Sequence, residues 1–540
     1  VPIAHIRNLG KYGVLTDPDA YDLAPEAFSL GVNVRFRNGK VTSGPVFRKV
    51  TDLGTDQPRF AFSANQSSGL DFLFIGYQNG RVWRYNSGTQ TDYTIAGYSN
   101  SVVEGKWTST TLANVLYVNR QDRAPWYLRS SDTAFQNLAS AGWDATWTTA
   151  LLRSCAGSLV ALNVTKGAIN YPQMVKTSSI PLSGTVPVSW DYNVPATLAT
   201  ENILAEMQGP ITDAAPYGNS LIIYGLKEAW LMQADNSIEV YDYTKLPFQK
   251  GSLNANCSIE IDGKVYVFGP DDIWRHDTVG EESICDQKTR DFIFGSINLS
   301  KARLFFVSHN PQLKELTFNY VSGDRVAGFA NPTDGCNRQA VYSYSENKWS
   351  FDDVPQVFSA CNANLDIVTT WAAAAGTWDT TGGSWLDQED SFKRTPVYVG
   401  QANATYGLST ALYAFDLYGA GSTVSFPVDT NATLARYLER DGIDLDELGE
   451  DFRDAKLLSS IYPQARLGSG SAPLMISAGA AEGFNETPTF TAYQPYDGAD
   501  NYKLDYNIAG RWLSLRIKYS DYKELTISGL DLDLKRTSKR

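Results

Sequence analysis

Three histidines, His5, His276 and His309, are the chain's whole stock of imidazole. A His-based metal site needs a spacing such as H-E-x-x-H or H-x-H, and neither occurs. A Ser-His-Asp triad needs its serine raised on a sharp turn, and no G-x-S-x-G segment supplies one. Carboxylates are the next chemistry to weigh. A glycosidase uses two of them about 5–10 Å apart across a sugar. Asp271-Asp272 and Asp352-Asp353 have the right residue type. Neighbours along a strand point to opposite faces, and Asp at a turn has a local task bonding backbone N–H groups. Neither pair therefore reads as a sugar-cleaving couple, and no S-x-D-x-G-x-T-W box accompanies them. The expectation is a protein that is not an enzyme, with no catalytic residue, no cofactor and no metal.

The densest acidic run is Glu439-Arg-Asp-Gly-Ile-Asp-Leu-Asp-Glu-Leu-Gly-Glu-Asp-Phe-Arg-Asp-Ala. A calcium loop of the EF-hand type needs D-x-[DN]-x-[DN]-G. Asp444 and Asp446 fit the first two positions, and Leu448 breaks the third. The run is left with two readings, a solvated face or a negative surface presented to a polyanion. In the second reading Asp444, Asp446, Glu447, Glu450 and Asp451 are the candidate residues.

Composition bounds the choice. The chain has 540 residues, 46 Lys and Arg against 59 Asp and Glu, and a net charge of −13. That balance argues against gripping nucleic acid through its phosphates, which takes clustered cations. It leaves open a surface that nucleic acid slides past. The five cysteines, Cys155, Cys257, Cys285, Cys336 and Cys361, show no C-x-x-C spacing, so reduced and mostly buried thiols are expected. No basic stretch leads into an apolar run near Val1, and no stretch of eighteen apolar residues occurs. Neither a signal peptide nor a membrane span is expected.

The elements that must position these residues read as strands. With 24 Phe, 13 Trp, 30 Tyr and 43 Gly, the chain suits short strands and tight turns better than helical bundles. Residues 1–50 read as an arm and a hairpin, with Asn38-Gly39 as its turn. From 51 to 354 one grammar recurs: an apolar strand, a Gly or Asn turn, then a strand carrying Trp or Tyr. Phe72-Leu-Phe-Ile-Gly with Arg81-Val-Trp-Arg-Tyr is one instance. Ser220-Leu-Ile-Ile-Tyr with Ala229-Trp-Leu-Met is another. The spacing of roughly 40–50 residues is that of propeller blades, and five to seven blades are expected. Residues 355–540 read as a further β-rich domain, possibly returning a strand to the propeller. Within it Ala372–Trp385 reads as a loop, the acidic stretch Leu434–Leu458 contains the chain's best charged helical candidate, and the end reads as a hairpin of Arg511–Tyr519 with Glu524–Leu530. The fold class expected is all-β, a β-propeller with an additional C-terminal β-rich domain.

Three stretches resemble the tail nozzle family of short-tailed bacteriophages, also called tail tubular protein B. The first is Asn33-Val-Arg-Phe-Arg-Asn-Gly-Lys-Val followed by Gly44-Pro. The second is the blade series, notably Asp262-Gly-Lys-Val-Tyr-Val-Phe-Gly with Asp272-Ile-Trp, and Val341-Tyr-Ser-Tyr with Asn347-Lys-Trp-Ser. The third is Glu439-Arg-Asp-Gly-Ile-Asp-Leu, Ser460-Ile-Tyr-Pro and Gly510-Arg-Trp-Leu-Ser-Leu-Arg-Ile with Ser528-Gly-Leu-Asp-Leu-Asp. The resemblance implies a virion protein assembled in the bacterial host cytoplasm. It implies a homohexameric ring docked on the tail adaptor ring, holding tail fibres or a plug, around the conduit for genomic DNA. An acidic lining then repels duplex DNA weakly, over about 10 Å at 0.1 M salt, and keeps it centred. A carbohydrate-binding or polysaccharide-degrading propeller acting on the host surface is the alternative.

Overall fold

The structure, a computed structural model, describes residues 3–65, 71–86, 89–98, 106–235, 239–323, 335–365, 394–401, 410–416, 425–426, 436–444, 455–483, 486–498, 501–521 and 523–538. Five separate antiparallel sheets of four strands follow one another along the chain. Their first strands are Pro58–Asn65, Trp107–Leu112, Trp147–Cys155, Asp213–Tyr217 and Ser258–Ile261. These are blades 1 to 5. Blade 6 is Phe306–Asn310, Glu315–Tyr320, Cys336–Ser343 and the first half of the long strand Lys348–Ala363.

That long strand changes blade midway. Up to Asp353 it pairs with Cys336–Ser343; from Val357 on it pairs with Thr395–Gly400. The switch falls at Pro355-Gln356. Proline cannot donate to a ladder, and Gln356 sits at φ 45° in the left-handed region. Gly335 passes so close that a Cβ there would lie 2.7 Å from the Gln356 carbonyl oxygen. Blade 7 is then Val357–Ala363, Thr395–Gly400, Ala411–Asp416 and Val46–Asp52 from near the start of the chain, with the short strand Ser425–Phe426 outside it. First strands touch in the order 1 to 7, and blade 7 returns to blade 1. Ser63 Oγ donates to the Asn362 carbonyl at 2.8 Å across this closure. The chain forms a seven-bladed β-propeller.

The apolar runs of the second strands now have a cause. Each second strand is buried on both faces, because a blade lies on either side. Val115 and Tyr117 join the core shared with blade 3, while Leu116 and Val118 join the core shared with blade 1. Leu221 and Ile223 face blade 3, and Ile222 and Tyr224 face blade 5. Alternation is therefore present, but both of its phases are apolar.

The remaining strands form a two-layer sandwich. One layer has Val34–Arg37, Lys40–Ser43, Leu525–Ser538, Ala455–Leu467 and Leu504–Gly510 in that order, with Ile3–Arg7 also on Leu525–Ser538. The other has Leu30–Val32, Arg436–Ile443, Trp512–Tyr519 and Leu474–Ala481. Leu458, Ile461, Leu530 and Leu532 from the first layer meet Leu513, Leu515 and Ile476 from the second in one core. Val32 pairs in parallel with Phe351, so the second layer continues blade 6.

A buried ion cluster pins this junction. Arg35 Nη1 and Nη2 donate to Asp352 Oδ1 and Oδ2 at 2.8 and 2.6 Å, and Nε to Glu315 Oε2 at 2.9 Å. Arg37 Nη2 donates to the other Glu315 oxygen at 2.6 Å, and Gln339 Nε2 to Asp352 at 2.8 Å. Burial opposes the Arg35 charge, but Asp352 and Glu315 more than offset it and raise the pKa above the ordinary arginine value.

Several expectations need correcting. The boundary between 354 and 355 falls inside one strand, and blade 7 draws on residues well beyond it. Residues 1–50 are no separate arm: 3–43 build the sandwich and 46–52 close the propeller. Residues 355–540 do return strands to the propeller, at 357–363, 395–400 and 411–416, and Val46–Asp52 from near the chain's beginning joins them. Arg436–Ile443 is a strand, not a helix, with alternating burial in which Arg436 and Arg440 point inward. Arg436 Nη2 donates to the Gly44 carbonyl and Arg440 Nη2 to that of Leu23, so these cations satisfy buried backbone oxygens. Trp512–Tyr519 and Leu525–Ser538 are strands that never pair; each lies in a different layer. The Asn38-Gly39 turn has both φ positive, at 51° and 69°, as a two-residue hairpin of this type requires. The segment Ala372–Trp385 lies outside the described residues.

Candidate functional site

Seven first strands surround one axis, and their channel-facing side chains cannot all be apolar. At the level where these strands begin, polar groups reach across. Asp213, fully buried at the start of blade 4, accepts from Ser258 Oγ at 2.6 Å and from the N–H groups of Cys257 and Asn256 at 3.0 and 3.1 Å. Arg153 of blade 3 donates to the Ala214 carbonyl at 2.9 Å, to Asn256 Oδ1 at 3.1 Å and to Asp213 at 3.3 Å. Asn256 Nδ2 then donates to the Trp107 carbonyl of blade 2 at 2.9 Å. Lys106 Nζ, also at blade 2, donates to the Phe305 carbonyl before blade 6 at 2.8 Å. Blade 2 is not a neighbour of blade 5 or 6 in the ring. These two bonds therefore span the axis and close the channel.

Beside this plug the channel widens to a cavity of about 550 Å³. All seven blades contribute to its wall. Phe60, Phe62, Trp107, Phe306 and Phe358, each largely buried between blades, stand in its wall. Arg59, Lys106, Arg153 and Arg303 bring positive charge, and Glu260 is the carboxylate among the lining residues. Glu260 Oε1 is engaged by the Gly263 N–H at 2.7 Å. Arg59 stacks on Phe358, 4.1 Å from the ring centroid. Burial lowers the Lys106 pKa, against the weaker pull of Cys257, Cys336 and Asp213. Burial pushes the Cys257 thiol up to about 12 and the Cys336 thiol higher still, so both stay protonated. Neither thiol neutralises the ammonium.

A second feature lies on the outside. Residues 178–200 link the third and fourth strands of blade 3 and run over blade 2. Gly184 N donates to the Ala113 carbonyl, Asn114 Nδ2 bonds Ser183 Oγ at 2.9 Å, and Trp190 packs edge-on against Trp143. Ile180, Leu182, Val188, Tyr192, Val194 and Leu198 of this segment stay exposed, Leu182 and Val188 at 78 and 83%. Among the described residues no other stretch concentrates exposed large apolar side chains in this way.

The residues expected to do chemistry lie elsewhere. Of the acidic candidates, Asp444 is half-buried just after Arg436–Ile443 in the sandwich; Asp446, Glu447, Glu450 and Asp451 lie outside the described residues. His276 is buried, with Nε2 2.7 Å from Tyr224 Oη and its ring stacked on Trp274. His5 pairs with Asp531 at 2.8 Å, and His309 with Tyr344 at 3.2 Å. Asp272 holds Ser283 and Lys250, and Asp352 holds Arg35, so these carboxylates tie blades and layers together. All five cysteines are free thiols, and four are buried. Among the described residues no group of three or more His, Cys, Asp or Glu could hold a metal ion, and no helix is long and apolar enough to cross a membrane. The channel residues went unseen because they stand just before, or early in, the first strands. Aligned on those strands rather than on the apolar second strands, Lys106, Asp213 and Asn256 all fall within two residues of a strand's start.

No protein-family model matches this sequence, and no curated protein matches it. Solved structures are similar to it at low identity. The WD40 propeller domain of Doa1 is 10% identical over 68% of this chain and 96% of its own, with a TM-score of 0.37. YCF48 bound to D1 peptide is 8% identical over 68% and 95%, with a TM-score of 0.38. PorZ, a surface component of the type-IX secretion system of Porphyromonas gingivalis, is 10% identical over 59% of this chain, with a TM-score of 0.35. The match spans 35% of PorZ. The propeller here rests on its own strand pairing and ring closure.

Proposed function

We propose that this chain is a structural virion protein, the subunit of a hexameric tail nozzle of a short-tailed phage. In this reading the ring docks on the adaptor ring, supports tail fibres or a plug, and surrounds the path of the ejected genome. The observation that carries it is the exposed apolar segment 180–198, together with the sequence resemblance. A patch of this kind on a monomer marks a place where another surface belongs, and we assign it to the neighbouring copy in the ring. The propeller's own channel is not the conduit. A duplex whose major groove alone is about 12 Å wide does not fit a cavity of about 550 Å³ beside a hydrogen-bonded plug. The bore must lie between subunits.

Leu182→Asp with Val188→Asp tests the assignment. End-on imaging of particles should show six copies with the wild-type chain and no ring with the variant, while the variant stays folded by circular dichroism. A monomeric wild-type chain in the intact virion overturns the reading. Replacing Asp444, Asp446, Glu447, Glu450 and Asp451 with Lys tests the repelling lining separately. Ejection in vitro is expected to slow, and an unchanged rate removes that acidic run from the mechanism.

A further inference from the structure

We propose that the propeller cavity binds a small amphipathic organic anion, with a carboxylate or phosphate head against Lys106 and a flat apolar body against the aromatic wall. This does not depend on the ring. The chain as a whole carries −13, yet the cavity wall carries four cationic side chains and one carboxylate. Arg153 is compensated in the plug by Asp213. Lys106 feels Asp213 only weakly: its hydrogen bond goes to the neutral Phe305 carbonyl, and an ammonium has three N–H groups to give. Its nearby thiols stay neutral. Half-buried on the cavity wall, the ammonium keeps two N–H groups from which an anion in the cavity would accept. The rest of the wall says what the anion carries. Phe60, Phe62, Trp107, Phe306 and Phe358 stand among its lining residues, a wall beside which an apolar body is better placed than a bare inorganic ion. The volume lies within the range of about 300–1,000 Å³ usual for small-molecule sites.

Titration calorimetry on the full chain with benzoate, phenyl phosphate, inorganic phosphate and benzyl alcohol tests this. Benzoate or phenyl phosphate should bind saturably at one site per chain. Which of the two binds more tightly identifies the head group. Inorganic phosphate, lacking the body, and benzyl alcohol, lacking the charge, should each bind at least tenfold more weakly. Lys106→Met should lose ten- to a hundredfold in affinity for the better anion, as expected for one charge-assisted hydrogen bond. Lys106→Arg should recover part of it. Equal binding of benzyl alcohol and benzoate, an unaffected Lys106→Met, or no saturable binding of either anion overturns the proposal. Should Lys106→Met fail to fold, the four-ligand comparison on the wild-type chain decides alone.

Discussion

Arg35→Met probes how the sandwich is held on the propeller. Arg35, Asp352 and Glu315 are 3, 1 and 1% exposed, so none is relieved by solvent. Methionine keeps most of the stem's volume and removes the charge. The two carboxylates then fare differently. Glu315 keeps Arg37 at 2.6 Å, whereas Asp352 keeps only the Gln339 amide at 2.8 Å. Asp352 thus becomes a buried charge without a counter-charge, which costs about 3–5 kcal/mol. Adding Asp352→Asn removes that charge, and the double variant should lose only about 1–2 kcal/mol, the worth of the hydrogen bonds themselves. Denaturant unfolding followed by tryptophan fluorescence and by circular dichroism measures both. Because Arg35 is in the sandwich and Asp352 in blade 6, the single variant should also split one transition into two. A loss below about 1 kcal/mol for Arg35→Met, or a double variant as unstable as the single one, refutes the idea that this cluster locks the junction electrostatically.

Three further outcomes are expected. Burial holds His276 at about 4, below its unfolded value near 6.5, so the unfolded state takes up a proton first as pH falls. Its contribution, at most about 3 kcal/mol, is complete above pH 6.5 and lost between 6.5 and 4; His276→Gln should flatten that part of a stability–pH curve. Asp441 behaves oppositely. Burial, and then Glu439, push its carboxyl up to about 6, so stability falls as pH rises from about 4 through 6. Asp441→Asn should be more stable than wild type at pH 7.5 by about 1 kcal/mol after solvent screening, and no different at pH 4. Deleting residues 46–52 removes the strand between Ala411–Asp416 and Ser425–Phe426 and bares the edge of Ala411–Asp416; size-exclusion chromatography should show aggregate in place of the native peak.

The blades were legible because burial on both faces leaves a mark that single-sequence reading detects. Leu159-Val-Ala-Leu and Leu221-Ile-Ile-Tyr are continuous apolar runs for that reason. The first strands carry no such mark. Trp107-Thr-Ser-Thr-Thr-Leu is mostly hydroxyl-bearing, with Thr108 and Thr110 bonding blade 3, and offers no apolar run. Blade 7 was illegible for another reason: its strands come from 46–52 and from beyond 356, and no local pattern announces a pairing across more than 300 residues. Within 434–458 the described stretch Arg436–Ile443 is a strand, because its charged residues are not all exposed, while residues 445–454 lie outside the described residues. Arg436 and Arg440 are inward positions of a strand, and guanidinium groups can be buried where carbonyl oxygens await them.

The plug limits what this propeller can be used for. A propeller that conducts anything must keep its axis clear, and here Asn256 and Lys106 bond across it. Those bonds join blades that are not neighbours, so they oppose the outward splay by which a ring of blades would open. Under the proposed nozzle reading, passage of duplex DNA requires a bore outside the single chain. Stiffening the propeller with a plug and leaving an apolar segment on blade 3 is a consistent solution for a subunit that works as a bracket. The prediction this makes is geometric: in an assembled ring the propeller axes do not coincide with the ring axis, and segment 180–198 lies at the contact between copies. An end-on reconstruction with DNA density threading the blades themselves would refute it.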